Sequence, residues 1–452
     1  MSTYQGMLSA TTETYHSYAG AIAVAPEPVT PAEERPKPVR RSRRPEFYKP
    51  FHYLLLVYLY FYCSRIPELV RFLHVGLVLQ PILLAGMIMT GTSKAILRSP
   101  IGRFMIAFTI WVAICVPFSV WRGGSFQILL LSAQALGLMF FMAAFIRTLD
   151  DCYRAIYVMA LALATVGVLS LVIGGGARLG DPRLGLGRGN DTLSDANILA
   201  LYLVIGMPLL WFASTVKSGV MKIGLIGMML PALAALGKTG SRMGLVALAL
   251  AILFFLAFAS ASQRAVIILA GFVGLVVASS LLPQRIIDRF TTVLQAGDTA
   301  ASAEAAESAA ARKIMFKRSL EMTAEHPFLG VGPGEFMDAE AQEAMEAGRR
   351  GLWRYTHNAY TEVSSETGIP GLVLFVTAFY YTYKGLSRYR SRYPNPRVRR
   401  AALCVQIAVV VTAIGAFFLS IAYSGILYAI MGLSAAFQLA AASHNKLTKA
   451  GT

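Results

Sequence analysis

From residue 48 onward the chain alternates between long apolar runs and short polar clusters. The runs are about 17–25 residues long, the length a helix needs to cross a hydrocarbon layer about 30 Å thick at 1.5 Å per residue. They fall at 48–65, 73–91, 102–120, 125–146, 154–174, 196–215, 219–237, 243–260, 264–282, 369–388, 400–420 and 422–442, the last two separated only by a short gap near Ser424. The pattern predicts an all-α polytopic membrane protein with about twelve transmembrane helices.

Two stretches break the alternation. The first 46 residues contain Pro26, Pro28, Pro31, Pro36 and Pro38, then the basic cluster Arg40, Arg41, Arg43 and Arg44. With no apolar core before Phe51, this stretch reads as a disordered tail rather than a secretory leader. The second break, 283–368, is a large loop between the ninth and tenth spans that holds about half of the acidic residues. Within it, residues 302–325 are rich in Ala, Glu, Lys, Arg and Met and predict a helix, partly apolar through Ile314, Met315, Leu320 and Met322. That helix should stop at His326-Pro327, because proline disfavours a helical residue before it. The run FLGVGPGEF predicts a tight turn with close backbone approach at Gly330, Gly332 and Gly334. A second helix is expected over about 335–348. The organisation expected is a tail 1–46, spans over 47–282, the loop 283–368, spans over 369–442 and a second tail 443–452.

Composition agrees with a membrane solvent: hydrophobic residues are 56%, charged residues 14%, and mean hydropathy is +0.57. The net charge of +17 is spread between the apolar runs, so no nucleic-acid stripe or basic domain emerges. Cys63, Cys115, Cys152 and Cys404 lie far apart in or beside apolar runs and define neither a disulfide framework nor metal spacing.

Charge placement orients the spans. With both termini in the cytoplasm, the cytoplasmic segments carry Arg35 to Lys49, Lys94, Arg98, Arg103, Arg147, Arg154, Lys217, Lys222, Arg264, the run from Lys384 to Arg400, Lys446 and Lys449. The segments left outside break the same rule. Residues 175–195 carry Arg178, Arg183 and Arg188, and the turn GKTGSRMG carries Lys238 and Arg242. A lone arginine there reads as headgroup contact. Several converging on one face favour an anionic ligand. The loop ends in RRGLWRYTHNAYTEVSSETG, whose aromatics and arginines suit either a membrane interface or sugar stacking.

Several of these segments carry a family resemblance. HNAYTEVSSETGIPGLVLF resembles the signature of the O-antigen ligase and polymerase superfamily, in which a His-Asn-x-Tyr run opens a late span. TGSRMGLVALAL, ARKIMFKRSLEMTAEHPFLGVGPGEF and DANILALYL fit the same family in order, so the resemblance covers roughly 190 to 385. It implies a membrane glycosyltransferase of class C type, working on the outer face of the bacterial cytoplasmic (inner) membrane without metal or nucleotide. Such enzymes take a glycan from undecaprenyl pyrophosphate and pass it to lipid A–core (ligases) or to another lipid-linked glycan (polymerases), in O-antigen, lipopolysaccharide or exopolysaccharide synthesis. Ligase and polymerase stay equally open.

By position in the family motifs, Arg242, Arg312 and His357 are the catalytic candidates. Arginine suits a pyrophosphate because its planar fork pairs phosphate oxygens bidentately and stays charged. Histidine suits deprotonation of an acceptor hydroxyl because imidazole titrates near neutral pH. Arg183, Arg188, Lys238, Tyr360, Glu362 and Glu366 are the substrate-binding candidates, and the two glutamates, four apart, share a helical face on which either could orient the histidine. Each has a plainer alternative: an exposed helix charge for Arg312, headgroup contact for Arg242, a helix-start hydrogen bond for His357. Asp195 and Asn197 read as caps of the sixth span rather than ligands. The six histidines are scattered, and no external pair has ligand spacing, so no metal or cofactor is expected. The alternative class is a secondary transporter, for which twelve spans are usual. Nearly charge-free span centres and the lack of an evident internal repeat speak against it.

Overall fold

The structure, a computed structural model, describes residues 46–70, 72–176, 183–187, 191–259 and 300–450, with a few positions between 261 and 271. Of 300–308 and 446–450 it describes the backbone only. The expected N-terminal tail, nearly all of the expected ninth span and residues 283–299 lie outside the described residues.

The chain's described residues form an all-α polytopic membrane protein and are about 81% helical. In order the helices are α1 (Lys49–Ser64), α2 (Val75–Met89), α3 (Pro100–Cys115), α4 (Arg122–Phe145), α5 (Leu149–Val172), α6 (Ala196–Val216), α7 (Gly219–Gly227), α8 (Met229–Thr239), α9 (Arg242–Phe258), α10 (Ala300–Glu325), α11 (Phe336–Glu346), α12 (Ala359–Arg392), α13 (Pro396–Phe418) and α14 (Gly425–Ala450). A two-residue antiparallel pair, β1 (Gly175–Gly176) with β2 (Leu184–Gly185), closes the α5–α6 connection.

Among the described residues, eight segments are long and apolar enough to cross a membrane, fewer than the twelve expected. α2 and α9 are apolar but shorter, and α1 has only 16 residues. The expected seventh span is two helices meeting at Met228. α12 begins ten residues before the boundary expected for the tenth span, inside what hydropathy marks as loop, because Glu362 and Glu366 lower the hydropathy of a turn that is nonetheless buried.

The core runs along the bundle with α6 at its centre, where 83% of the membrane-length window is buried against 22% for α7–α8 at the rim. α6 packs on α5, α8 and α13, and α12 packs on α3 and α13. A hydrocarbon solvent gives no hydrophobic drive between helices, so packing relies on close approach and interhelical hydrogen bonds. Tyr60 with Thr165 (3.0 Å) and Tyr389 Oη to Gln438 O (3.2 Å) are bonds of that kind.

Candidate active site

The glycine-rich turn after α10 is built into the bundle. Gly330, Gly332 and Gly334 have φ of +67°, +115° and +81°, the left-handed side that side chains resist. A Cβ on Gly332 would collide with Ser119, and one on Gly330 with the backbone of Glu366. Held that closely, the turn completes hydrogen bonds that α12 cannot make itself. α12 breaks at Gly368 (φ +69°, ψ −177°), two residues before Pro370, which leaves the preceding carbonyls without helical donors. Val331 N donates to Ser365 O (2.9 Å), Gly332 N to Glu366 O (3.1 Å) and Trp111 Nε1 to Thr367 O (2.8 Å). A buried carbonyl left unpaired costs about 1–3 kcal/mol, so the turn acts as the C-cap of the 359–367 segment. Glu366, 2% exposed, fastens the same joint by accepting from Gly334 N at 2.8 Å.

The other end of that segment carries His357. Asn358 caps α12 by accepting from Tyr360 N (2.9 Å) and Thr361 N (3.2 Å). His357 just before it has φ +52°, a conformation that costs a non-glycine residue about 1–2 kcal/mol. The α13–α14 connection holds it there. Ser420 Oγ accepts from His357 N (3.0 Å) and bonds Thr356 Oγ1 (3.0 Å), while Glu362 accepts from Ala422 N (3.1 Å) on the same connection.

His357 lines a cavity of about 430 Å³ together with Arg183, Arg242 and Arg312. Those four residues come from four segments far apart in sequence. Asn197, Lys313, Phe316, Thr356, Phe417 and Phe418 also contribute, and no carboxylate appears among its described lining residues. Three helix N-termini meet here. Asp195 caps α6 through Asn197 N (2.7 Å), Ser241 caps α9 through Gly244 N (3.2 Å), and Asn358 caps α12. Ser241 Oγ also donates to Asn197 Oδ1 (2.8 Å), tying the first two together. Each N-terminus adds about half a positive charge to a wall that already bears guanidinium groups. Arg242 is the first residue of α9, where its charge adds to the dipole instead of offsetting it. Partial burial pushes the Arg312 guanidinium below its usual value, Asp195 works the other way, and Arg183 and Arg242 lower it further. A partly dehydrated cation cluster under such mutual repulsion is a site for an anion.

Not every sequence candidate reaches this cavity. Lys238 is exposed in the last turn of α8 and does not line it. Arg188 lies outside the described residues. Tyr360, expected to bind substrate, instead packs its ring against Phe375 and Phe379 and donates its hydroxyl to Ala413 O (3.1 Å). Glu362 and Glu366 share a face of α12, as their spacing implies, but both are buried on backbone amides of neighbouring segments. Asn197, read as a cap residue, lines the cavity while Asp195 does the capping. Ser420 had no sequence signal, since its relation to His357 exists only in three dimensions.

Two further features lie in the 300–350 region. Glu335, 2% exposed at the start of α11, has its carboxyl pushed up to about 7 by burial and by the neighbouring Asp338. Glu325, His326 and Glu343 bring possible metal-ligand atoms within 4.8 Å, a grouping that sequence spacing does not reveal because Glu343 is on α11. Both glutamates also pair with Arg318, which supplies their counter-charge.

Fold and site together define a multi-span membrane protein with a cationic, histidine-bearing cavity at one end of its bundle. The family model described as O-antigen ligase matches residues 226–376, about a third of the chain and the part that carries Arg242, Arg312 and His357. Over that segment the chain is thus similar to the O-antigen ligase family. Arg183 and Asn197 lie outside the matched segment. A comparison with curated proteins finds no match.

Proposed function

We propose that the protein transfers or polymerises a glycan from a polyprenyl pyrophosphate donor, of the undecaprenyl type, on the extracytoplasmic face of the cytoplasmic membrane. The observation that carries this reading is the convergence of Arg183, Arg242, Arg312 and His357 on one cavity with no carboxylate among its described lining residues. The pyrophosphate is the leaving group. An acceptor hydroxyl attacks the anomeric carbon of the donor sugar, its proton passes to the His357 imidazole, and the bond from that carbon to the pyrophosphate oxygen breaks. The electron pair leaves with the lipid pyrophosphate, whose growing charge is met by the guanidinium groups and the α6, α9 and α12 N-termini. Fixed donors aimed at developing charge contribute roughly 3–4 kcal/mol each. Phe316, Phe417 and Phe418 give the cavity an apolar side suited to the first isoprene units or to a sugar face. Charge is already supplied by the protein, so the mechanism is metal-independent.

The test uses purified protein, lipid pyrophosphate-linked glycan and EDTA. Transfer should persist, and a strict need for divalent cation would overturn the metal-free mechanism. A deletion strain then separates the two acceptors on a surface-glycan gel. Lipid A–core lacking all glycan marks a ligase, a single capped repeat marks an O-antigen polymerase, and loss of a separate exopolysaccharide marks a polymerase of that pathway.

A further inference from the structure

The far end of α12 borders a second cavity, of about 460 Å³, that the transfer reaction does not use. α12 spans 34 residues, so its 384–392 end lies about 40 Å from the His357 end at 1.5 Å per residue. Lys384, Arg388 and Arg392 line the cavity at successive i, i+4 positions and so share one face of the helix. No carboxylate is among its described lining residues. Its floor is Gly385 against Gln438, where a Cβ on Gly385 would collide with the Gln438 amide, and its opposite rim is Pro100, the first residue of α3. Ser99, at the N-cap of α3, makes no capping bond, and its buried Oγ has no partner among the described residues. The cavity therefore pairs three cations with an uncapped helix N-terminus.

The same helix continues away from this groove as an exposed apolar strip of Ile369, Val373, Val376 and Tyr380. Cationic groove and apolar strip together have the shape of an amphiphile with an anionic head. Three cations spread over about 12 Å of helix exceed the reach of one phosphate.

We propose that this groove binds an anionic phospholipid with two phosphates, of the diphosphatidylglycerol kind, from the leaflet opposite the reaction cavity. Its phosphates sit among Lys384, Arg388 and Arg392 by the first turn of α3, and its acyl chains lie along the exposed strip of α12. Ordinary basic flanks of a span attract such lipids diffusely. The recessed floor at Gly385 and Gln438 turns that attraction into a defined seat.

The test is binding to the full chain in neutral detergent, followed by native mass spectrometry and thermal unfolding. The probes are diphosphatidylglycerol, phosphatidylcholine and inorganic pyrophosphate. Diphosphatidylglycerol should bind and raise the unfolding midpoint while phosphatidylcholine leaves it unchanged, and any shift by pyrophosphate, which the reaction cavity can take, should persist in the groove variant. The combined Lys384→Gln, Arg388→Gln and Arg392→Gln variant should bind about 100-fold more weakly, from roughly 1 kcal/mol per basic residue. A variant with Arg349, Arg350 and Arg354 changed to Gln, equal in charge but elsewhere, should bind as wild type. Photo-crosslinking of a reactive diphosphatidylglycerol to wild-type protein needs no variant and should label the 380–392 segment. Equal binding by the groove variant, equal binding of phosphatidylcholine, a pyrophosphate shift that the groove variant abolishes, or labelling elsewhere would each overturn the proposal.

Discussion

His357 pairs its proposed role as base with a strained backbone, and the two can be separated by substitution. At φ +52° an L-residue carries about 1–2 kcal/mol of strain, which glycine does not. Glycine costs about 0.5–1 kcal/mol through the freedom it adds to the unfolded chain. His357→Gly should therefore fold with stability equal to wild type or up to about 1.5 kcal/mol higher. His357→Ala keeps the strain and should be less stable than the glycine variant by about the same amount. Both should lose glycan transfer, since neither offers a group to take the acceptor proton. The assay is denaturant unfolding in micelles beside transfer at matched expression. A glycine variant less stable than the alanine variant would refute the strain at His357, and transfer by either would refute its role as base.

Three other outcomes follow from the geometry. Arg312→Ala should lower kcat by about 10²–10³, and Arg312→Lys should recover only part of it, because an ammonium cannot pair two phosphate oxygens at once; full activity of the lysine variant, read in the transfer assay, would reduce the contribution of Arg312 to charge alone. Glu335 is raised from an ordinary 4.5 to about 7, so its contribution to stability is full below 4.5 and is lost as pH rises through 7. Denaturant unfolding of wild type should thus show stability falling between pH 5 and 8, with Glu335→Gln flattening that slope; an unchanged slope would remove Glu335 as its source. Gly332→Ala should destabilise by about 1–3 kcal/mol, through its φ of +115° and its collision with Ser119, and unfolding at wild-type stability would contradict the close docking of the turn.

Hydropathy made most spans legible because a bilayer imposes length and composition on anything that crosses it. It failed where burial is supplied by protein. The α12 turn with Glu362 and Glu366 reads as loop by composition, yet both carboxylates are enclosed by amide donors. At the helix ends around the cavity, Asp195 was readable as a cap and Asn358 and Ser241 were not singled out, and a cap signature does not say that three of them face one space. Arg242, Arg312 and His357 stood out through family motifs and Arg183 through its place on an external basic segment, and the cavity adds Asn197, read as a cap. Tyr360 misled because tyrosine beside a histidine motif suits sugar contact, whereas its hydroxyl answers a carbonyl on α13.

The break at Gly368 also bears on how the protein tolerates its solvent. Bilayers differ in thickness, and a span answers by tilting. In an unbroken α12, that tilt would swing His357 across the cavity. Here the ladder stops at Thr367, whose carbonyl and the two before it are held by Trp111 and by the turn. The break would let the lower arm lean with the membrane while the upper arm stays registered to the turn, a gimbal that would keep His357 level with the cavity.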